Sequence, residues 1–330
     1  MKRIVLIILC VLLVFAVSIT LYATKKEPAK KEKLTFAYVP GIEDPFMRMI
    51  EKGARAKAEE LGVELLVSEY PKAWGPEVQV PILEAHMARG GYDFLMVVPT
   101  SVDALIAPLK KIYDQGVEII TCDTFIGDGD YSKSSDYSFP LAYIGTDNEL
   151  GGEKVGEHLA KMLGEKGKVY LINTNPDTSS VMGREKGFKK GIAKYPNIKL
   201  VGVDYCLDVQ QKAQEQTLAA LQKNPDVVGI FGVNLYSAQG AYQAVVNMGL
   251  TGAVKIATWD ATVDLINALK EGKVDLVLAQ KPAEIGQLAV EWGYKHLIEG
   301  AEIPKKVIPG FEFFTRENVN DPDMQQFIYK

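Results

Sequence analysis

The sequence predicts an α/β protein built as two similar lobes, each a doubly wound parallel sheet. Three observations carry that reading. Short apolar runs alternate with amphipathic stretches of a dozen or so residues, the mark of βαβ units. The alternation occurs twice, with matching motifs in the two halves. The chain has 330 residues, 47% apolar and 24% charged, which is long enough for two domains with their own cores.

Leu34-Thr35-Phe36-Ala37-Tyr38-Val39 is an apolar run closed by Pro40-Gly41 and reads as a strand. Helical spacing over 46–61 stops at Gly62. Strands follow over 63–67, 92–98 and 117–121, with helices over 82–89 and 102–115, the latter stopped by Gly116. The second half gives strands over 169–172, 199–203, 227–231, 254–258 and 276–279. Its helices fall over 180–194, 209–223, 238–248 and 263–270. Val117-Glu118-Ile119-Ile120-Thr121-Cys122-Asp123 and Val254-Lys255-Ile256-Ala257-Thr258-Trp259-Asp260 share the pattern V-x-I-x-T-x-D. Segments 34–53 and 168–187 both run strand, polar loop, helix at equal spacing. Ligands of such sheets bind beyond the carboxyl ends of the strands. Asp123 and Asp260 stand at such ends, one per half, so facing lobes would aim both carboxylates into one cleft.

Ahead of this body, Met1-Lys2-Arg3 precedes an uncharged run over 4–23, and Thr24-Lys25-Lys26-Glu27-Pro28 is abruptly polar. These are the parts of an export signal. The run is also long enough to span a bilayer, so 1–23 reads as a signal peptide or an N-terminal anchor. Segment 24–33 is a charged spacer. Either fate places the body outside the cytoplasmic membrane, in a periplasm or on the membrane's outer face. The net charge of −5 argues against a nucleic-acid surface. Cys10 falls in the signal, and Cys122 and Cys206 fall in different lobes, so the two read as buried free thiols. There is no G-x-x-x-x-G-K-[ST], H-E-x-x-H, G-x-S-x-G or C-x-x-C. Asp128-Gly129-Asp130-Tyr131-Ser132 starts like a calcium loop but has Lys133 where glycine is needed. No cofactor, metal or catalytic activity is expected.

The body resembles the periplasmic sugar-binding proteins of the ribose/galactose type, the type I solute-binding proteins of ABC importers. Glu43-Asp44-Pro45-Phe46 resembles that family's N-x-P-F loop, and Ile119-Ile120-Thr121-Cys122-Asp123 its I-x-x-D strand end. Tyr143-Ile144-Gly145-Thr146-Asp147-Asn148-Glu149-Leu150-Gly151-Gly152 is similar to its crossover into the second lobe. Arg184-Glu185-Lys186-Gly187-Phe188 resembles its R-x-x-G-F helix start. Phe231-Gly232-Val233-Asn234, Thr258-Trp259-Asp260 and Leu278-Ala279-Gln280-Lys281-Pro282 complete the order. The resemblance implies the periplasmic binding protein type I fold, with lobe 1 from 34–145 plus 281–306 and lobe 2 from 146–280 plus 307–330. Hinge crossings would lie near 143–147, 280–282 and 303–309. It also implies a monomer that binds a monosaccharide or polyol between the lobes. Closure would present the clamp to an ABC transporter permease, or to a chemoreceptor or sensor kinase.

A sugar offers hydroxyls that donate and accept, and apolar ring faces. Asp123 and Asp260 are the expected acceptors, and Arg184 the donor from the second lobe. Asn234 and Gln280 each follow an apolar strand and would supply amides. Asp44 stands where the family has Asn, and as a carboxylate it accepts only. Phe46 would cover one sugar face and Trp259 the other, although strict strand alternation turns Trp259 and Asp260 to opposite sides. Trp74 and Tyr236 are further aromatic candidates. Thr146-Asp147-Asn148-Glu149 reads as a capping box headed by Thr146. Two other functions compete with sugar capture for import. One is a sensing subunit that binds a signal molecule for a membrane kinase. The other is a hydrolase using the Asp123/Asp260 pair.

Overall fold

The computed structural model describes residues 33–330. The apolar segment and the first nine spacer residues, 24–32, lie outside the described residues. The first sheet contains β1 (Thr35–Val39), β2 (Glu64–Val67), β3 (Phe94–Val97), β4 (Glu118–Cys122), β5 (Ala142–Ile144) and β11 (Lys306–Val307). The second contains β6 (Lys166–Asn173), β7 (Asn197–Tyr205), β8 (Val227–Gly232), β9 (Lys255–Trp259), β10 (Leu276–Gln280) and β12 (Phe311–Phe314). The orders are β11-β5-β4-β3-β1-β2 and β12-β10-β9-β8-β6-β7. Strand for strand they are the same sheet, except that β12 runs antiparallel to its neighbour and β11 parallel. The expected duplication is thus real at the level of topology.

The chain leaves the first sheet after Ile144, returns to it after Gln280, and leaves again between Val307 and Phe311. Helix α1 (Pro45–Leu61) and helix α9 (Pro282–Tyr294) pack together in the first lobe. Their backbones nearly touch because both contribute glycine: a Cβ at Gly286 would stand 2.0 Å from the Ile50 carbonyl oxygen. In the second lobe α4 (Asn148–Met162) packs on α5 (Ser179–Ile192) in the same way. A Cβ at Gly152 would stand 2.2 Å from the Arg184 carbonyl oxygen.

The remaining helices are α2 (Pro76–Arg89), α3 (Ile106–Tyr113), α6 (Gln210–Lys223), α7 (Leu235–Asn247) and α8 (Val263–Lys270). Two depart from expectation. Helix α2 starts at Pro76, well before residue 82, and carries Pro81 inside its second turn. Pro81 lacks the N–H that would bond the Glu77 carbonyl, so the second turn forfeits that helical bond. Regular helix in α3 starts only at Ile106, because Ser101 Oγ accepts from the Asp103 and Ala104 amides and holds a turn ahead of it. The capping box at 146–149 is a correction. Asp147 is the N-cap and accepts from the Leu150 amide at 2.9 Å. Thr146 turns its hydroxyl to Gln280 instead. Cys122 and Cys206 are buried free thiols.

Candidate functional site

Asp123 and Asp260 each close a duplicated strand, and both take left-handed backbone, with φ of 60° and 74°. Their amides are spent alike, Asp123 N–H on the Ile144 carbonyl (2.9 Å) and Asp260 N–H on the Leu278 carbonyl (2.8 Å). A non-glycine residue at positive φ is strained, and here the strain turns two carboxylates out of the sheets and toward each other's lobe. They meet in one cavity between the lobes. The cavity is also lined by Asp44, Phe46, Met47, Trp74, Arg184, Asp208, Asn234 and Gln280.

Arg184 is 3% exposed and fixed on three sides. Its Nε donates to Asn148 Oδ1 and its Nη1 to the Val233 carbonyl, both at 2.9 Å. Its guanidinium lies 4.4 Å above the Trp259 ring, a cation–π contact. Nη2 remains for a ligand. Asp260 is fixed through Oδ1, which accepts from Gln280 Nε2 at 2.8 Å, and through Oδ2, which accepts from the Leu235 amide at 3.2 Å. Gln280 Oε1 in turn accepts from Thr146 Oγ1 at 2.7 Å, and the Gln280 amide donates to the Tyr329 hydroxyl at 2.8 Å. A cleft carboxylate is therefore wired to the first two crossings of the hinge. Asp123 Oδ1 is buried with no protein partner. Such an atom is costly unless something else satisfies it.

Asp44 caps α1, its Oδ1 accepting from the Met47 amide at 2.7 Å. Asn234 caps α7 with a reciprocal Ser237 bond and donates to Asp208 Oδ1 at 2.5 Å. Phe46 is buried beside the cavity with its ring edge-on to Tyr329, centroids 5.8 Å apart. It is both a wall and a core residue.

Trp259 requires a correction. It is 0% exposed and packs in the second lobe's core with Phe188, Phe231 and Leu278. Strand alternation holds to the last residue of β9, so Trp259 and Asp260 point to opposite sides. Trp259 bears on the site only through Arg184. The aromatic ring that does close the cavity is Trp74, whose Nε1–H reaches Thr178 Oγ1 at 2.8 Å and the Thr100 carbonyl at 3.1 Å. Three further bonds span the lobes, Val102 N–H to the Asp177 carbonyl (3.2 Å), Phe125 N–H to Ser179 Oγ (3.0 Å) and Thr178 Oγ1–H to the Thr100 carbonyl (3.4 Å). The clamp is thus in a closed form.

Burial raises every carboxylate in the cavity. Asp44 is pushed to about 8, by burial first and by the charges of Asp260, Asp208 and Asp123. Asp123 is pushed to about 7, burial outweighing the opposing pull of Arg184. Asp208 is pushed to about 6, burial outweighing its bond to Asn234. Asp260 is raised too, chiefly by burial, against Arg184 and its hydrogen bonds. The raised value favours the protonated form of Asp44, in which it would donate as an asparagine does, whereas the ionised form only accepts. Asp208 itself escaped the sequence reading. Its signal was a carboxylate just past the end of β7, but it has no repeat partner.

A cleft between duplicate lobes, with polar and charged side chains converging from both and a hinge crossed three times, defines a small-molecule binding clamp. The model of the periplasmic binding protein domain matches residues 37–302. The chain belongs to that family. It is 27% identical over 289 residues to the ribose import binding protein of Salmonella typhimurium, covering 88% of this chain and 93% of that one. It is 28% identical over 269 residues to the D-allose-binding periplasmic protein of Escherichia coli, covering 81% and 84%. An ABC transporter solute-binding protein from Agrobacterium vitis, solved with α-D-tagatopyranose, superposes with a TM-score of 0.88 at 40% identity, over 90% of this chain and all of that one.

Proposed function

We propose that this is an extracytoplasmic solute-binding protein that captures a monosaccharide or related polyol in the interlobe cavity and delivers it, as a monomer, to an ABC transporter permease. Export by the N-terminal segment belongs to the same reading. The observation that carries it is the convergence of Asp44, Asp123, Arg184, Asn234, Asp260 and Gln280 on one closed cavity with Phe46 and Trp74 at its walls. The tagatose-bound relative and the relatives named for ribose and allose support the same ligand class. They also support a binding protein rather than an enzyme.

The mechanism follows from the groups. Sugar hydroxyls donate to Asp123 Oδ1, which otherwise has no partner, and accept from Arg184 Nη2. Charge-assisted bonds of this kind contribute roughly 1.5–3 kcal/mol each, and micromolar affinity needs only about −8 kcal/mol net. Ligand bound to both lobes favours closure, because the open form makes only half of those bonds. Thermal shift of the mature body against pentoses, hexoses and polyols tests the reading. A ligand at one hundred times its Kd adds about 2.7 kcal/mol. A shift with amino acids and with no sugar or polyol would sink it.

A further inference from the structure

Asp208 is placed at a cost that its surroundings do not explain. Leu207 and Asp208 are consecutive non-glycine residues in left-handed backbone, with φ of 56° and 59°. Leu207 gains nothing from this, being 59% exposed. The turn is well satisfied without the Asp208 side chain: Cys206 N–H reaches the Asn173 carbonyl, Leu207 N–H the Thr174 carbonyl, and Val209 N–H the Cys206 carbonyl. Asp208 caps no helix and pairs with no cation. What the paired left-handed residues accomplish is to put a fourth carboxylate into the ligand cavity.

That carboxylate changes the cavity's balance of donors and acceptors. Asn234 Nδ2 is spent on Asp208 and Gln280 Nε2 on Asp260. Two of the guanidinium's donors are spent on Asn148 and Val233. Beside Asp44, whose proton is favoured, the three carboxylates of Asp123, Asp208 and Asp260 face one arginine, and their oxygens outnumber the free donors. Such a cavity suits a ligand that supplies hydrogen-bond donors and brings no negative charge.

We propose, resting on the sugar-capture reading, that Asp208 is a specificity-determining residue that restricts the site to uncharged sugars or polyols and rejects sugar acids. It accepts a ligand hydroxyl through the oxygen not held by Asn234. Against a uronate or aldonate it sets a like charge in a closed, poorly solvated space, which is repulsive discrimination rather than tighter binding of the correct ligand.

Calorimetric titration of neutral sugars and their matching acids, such as D-galactose with D-galacturonate and D-ribose with D-ribonate, tests this in wild type and Asp208→Asn. Wild type should bind at least one neutral sugar, and its acid at least a hundredfold more weakly. Asp208→Asn should weaken the neutral sugar about tenfold and narrow the neutral-to-acid ratio at least tenfold. Asp208→Gly, which relieves the backbone as well, should match or exceed the wild-type melting temperature and show the same narrowed ratio. A wild type that binds neutral sugars while both variants keep its ratio overturns the role of Asp208 alone. A wild type that binds no neutral sugar overturns the sugar reading and this inference with it.

Discussion

Replacing Asp123 by asparagine should make the unliganded protein more stable and its ligand weaker. Asp123 is 4% exposed, and burial holds its carboxyl at about 7 against an ordinary 3.8. Three pKa units correspond to about 4 kcal/mol of penalty on the charged form. The folded value lies above the unfolded one, so the penalty is absent below about pH 4, grows as pH rises through 7, and is complete near pH 8. Asparagine keeps the shape and removes the charge, but its amide must still be satisfied in the same cavity. A net gain of about 2 kcal/mol at pH 8 is expected, which would raise Tm by several degrees in a chain of this size. At pH 4, where the charge penalty is absent, only the amide's cost remains, and the variant should be less stable than wild type by about 2 kcal/mol. The lost charge-assisted bonds should weaken the sugar by about 1.5–3 kcal/mol, tenfold or more. Scanning calorimetry of the unliganded protein at both pH values gives the first quantity, and titration calorimetry with the best sugar from the panel gives the second. A variant that loses stability at pH 8 and binds as before would refute the reasoning, and would make Asp123 a structural turn residue.

Trp259→Leu lies outside the cavity yet should cost about 3 kcal/mol of stability, as large core aromatics do, and should also weaken binding by freeing Arg184; urea unfolding and titration calorimetry check the two effects separately. Trp74→Phe removes the cross-cleft bond to Thr178 and should speed ligand release about fivefold in stopped-flow displacement, with little change in unliganded Tm. Raising pH from 6 to 9 without ligand should open the clamp, because Asp44 and Asp123 of the first lobe, held near 8 and 7, gain charges that repel Asp208 and Asp260 of the second; small-angle scattering would show a larger radius of gyration, and saturating sugar should suppress the change.

The parts legible in the sequence were those written twice. Asp123 and Asp260 could be paired because V-x-I-x-T-x-D recurs, and the structure gives both the same amide bond and the same left-handed turn. Periodicity located β1–β4, β6–β10 and most helices, since burial imposes it, but not the short strands β5, β11 and β12 or the helices α4 and α9. Trp259 would reach the sugar only if the end of β9 bent out of alternation; it does not, and the ring stays in the core. Asp208 was missed because the loop beyond β7 has no periodic signature and no counterpart in the first half. Thr146 lost its capping role to a contact with Gln280, 134 residues away in sequence and so invisible to any local rule.

The left-handed turns at Asp123 and Asp260 also bear on how such a clamp can change its ligand. That backbone region admits glycine, and asparagine or aspartate at modest cost, while branched and bulky residues are strongly disfavoured there. Glycine would delete the side chain altogether. The fold thus limits the workable alphabet at its two anchoring positions to an acid and its amide. Variation in what the protein accepts has to be written elsewhere, and most freely at positions of ordinary backbone such as Asp44, Trp74 and Asn234. The strand ends act as fixed posts, and the loops around them carry the choice.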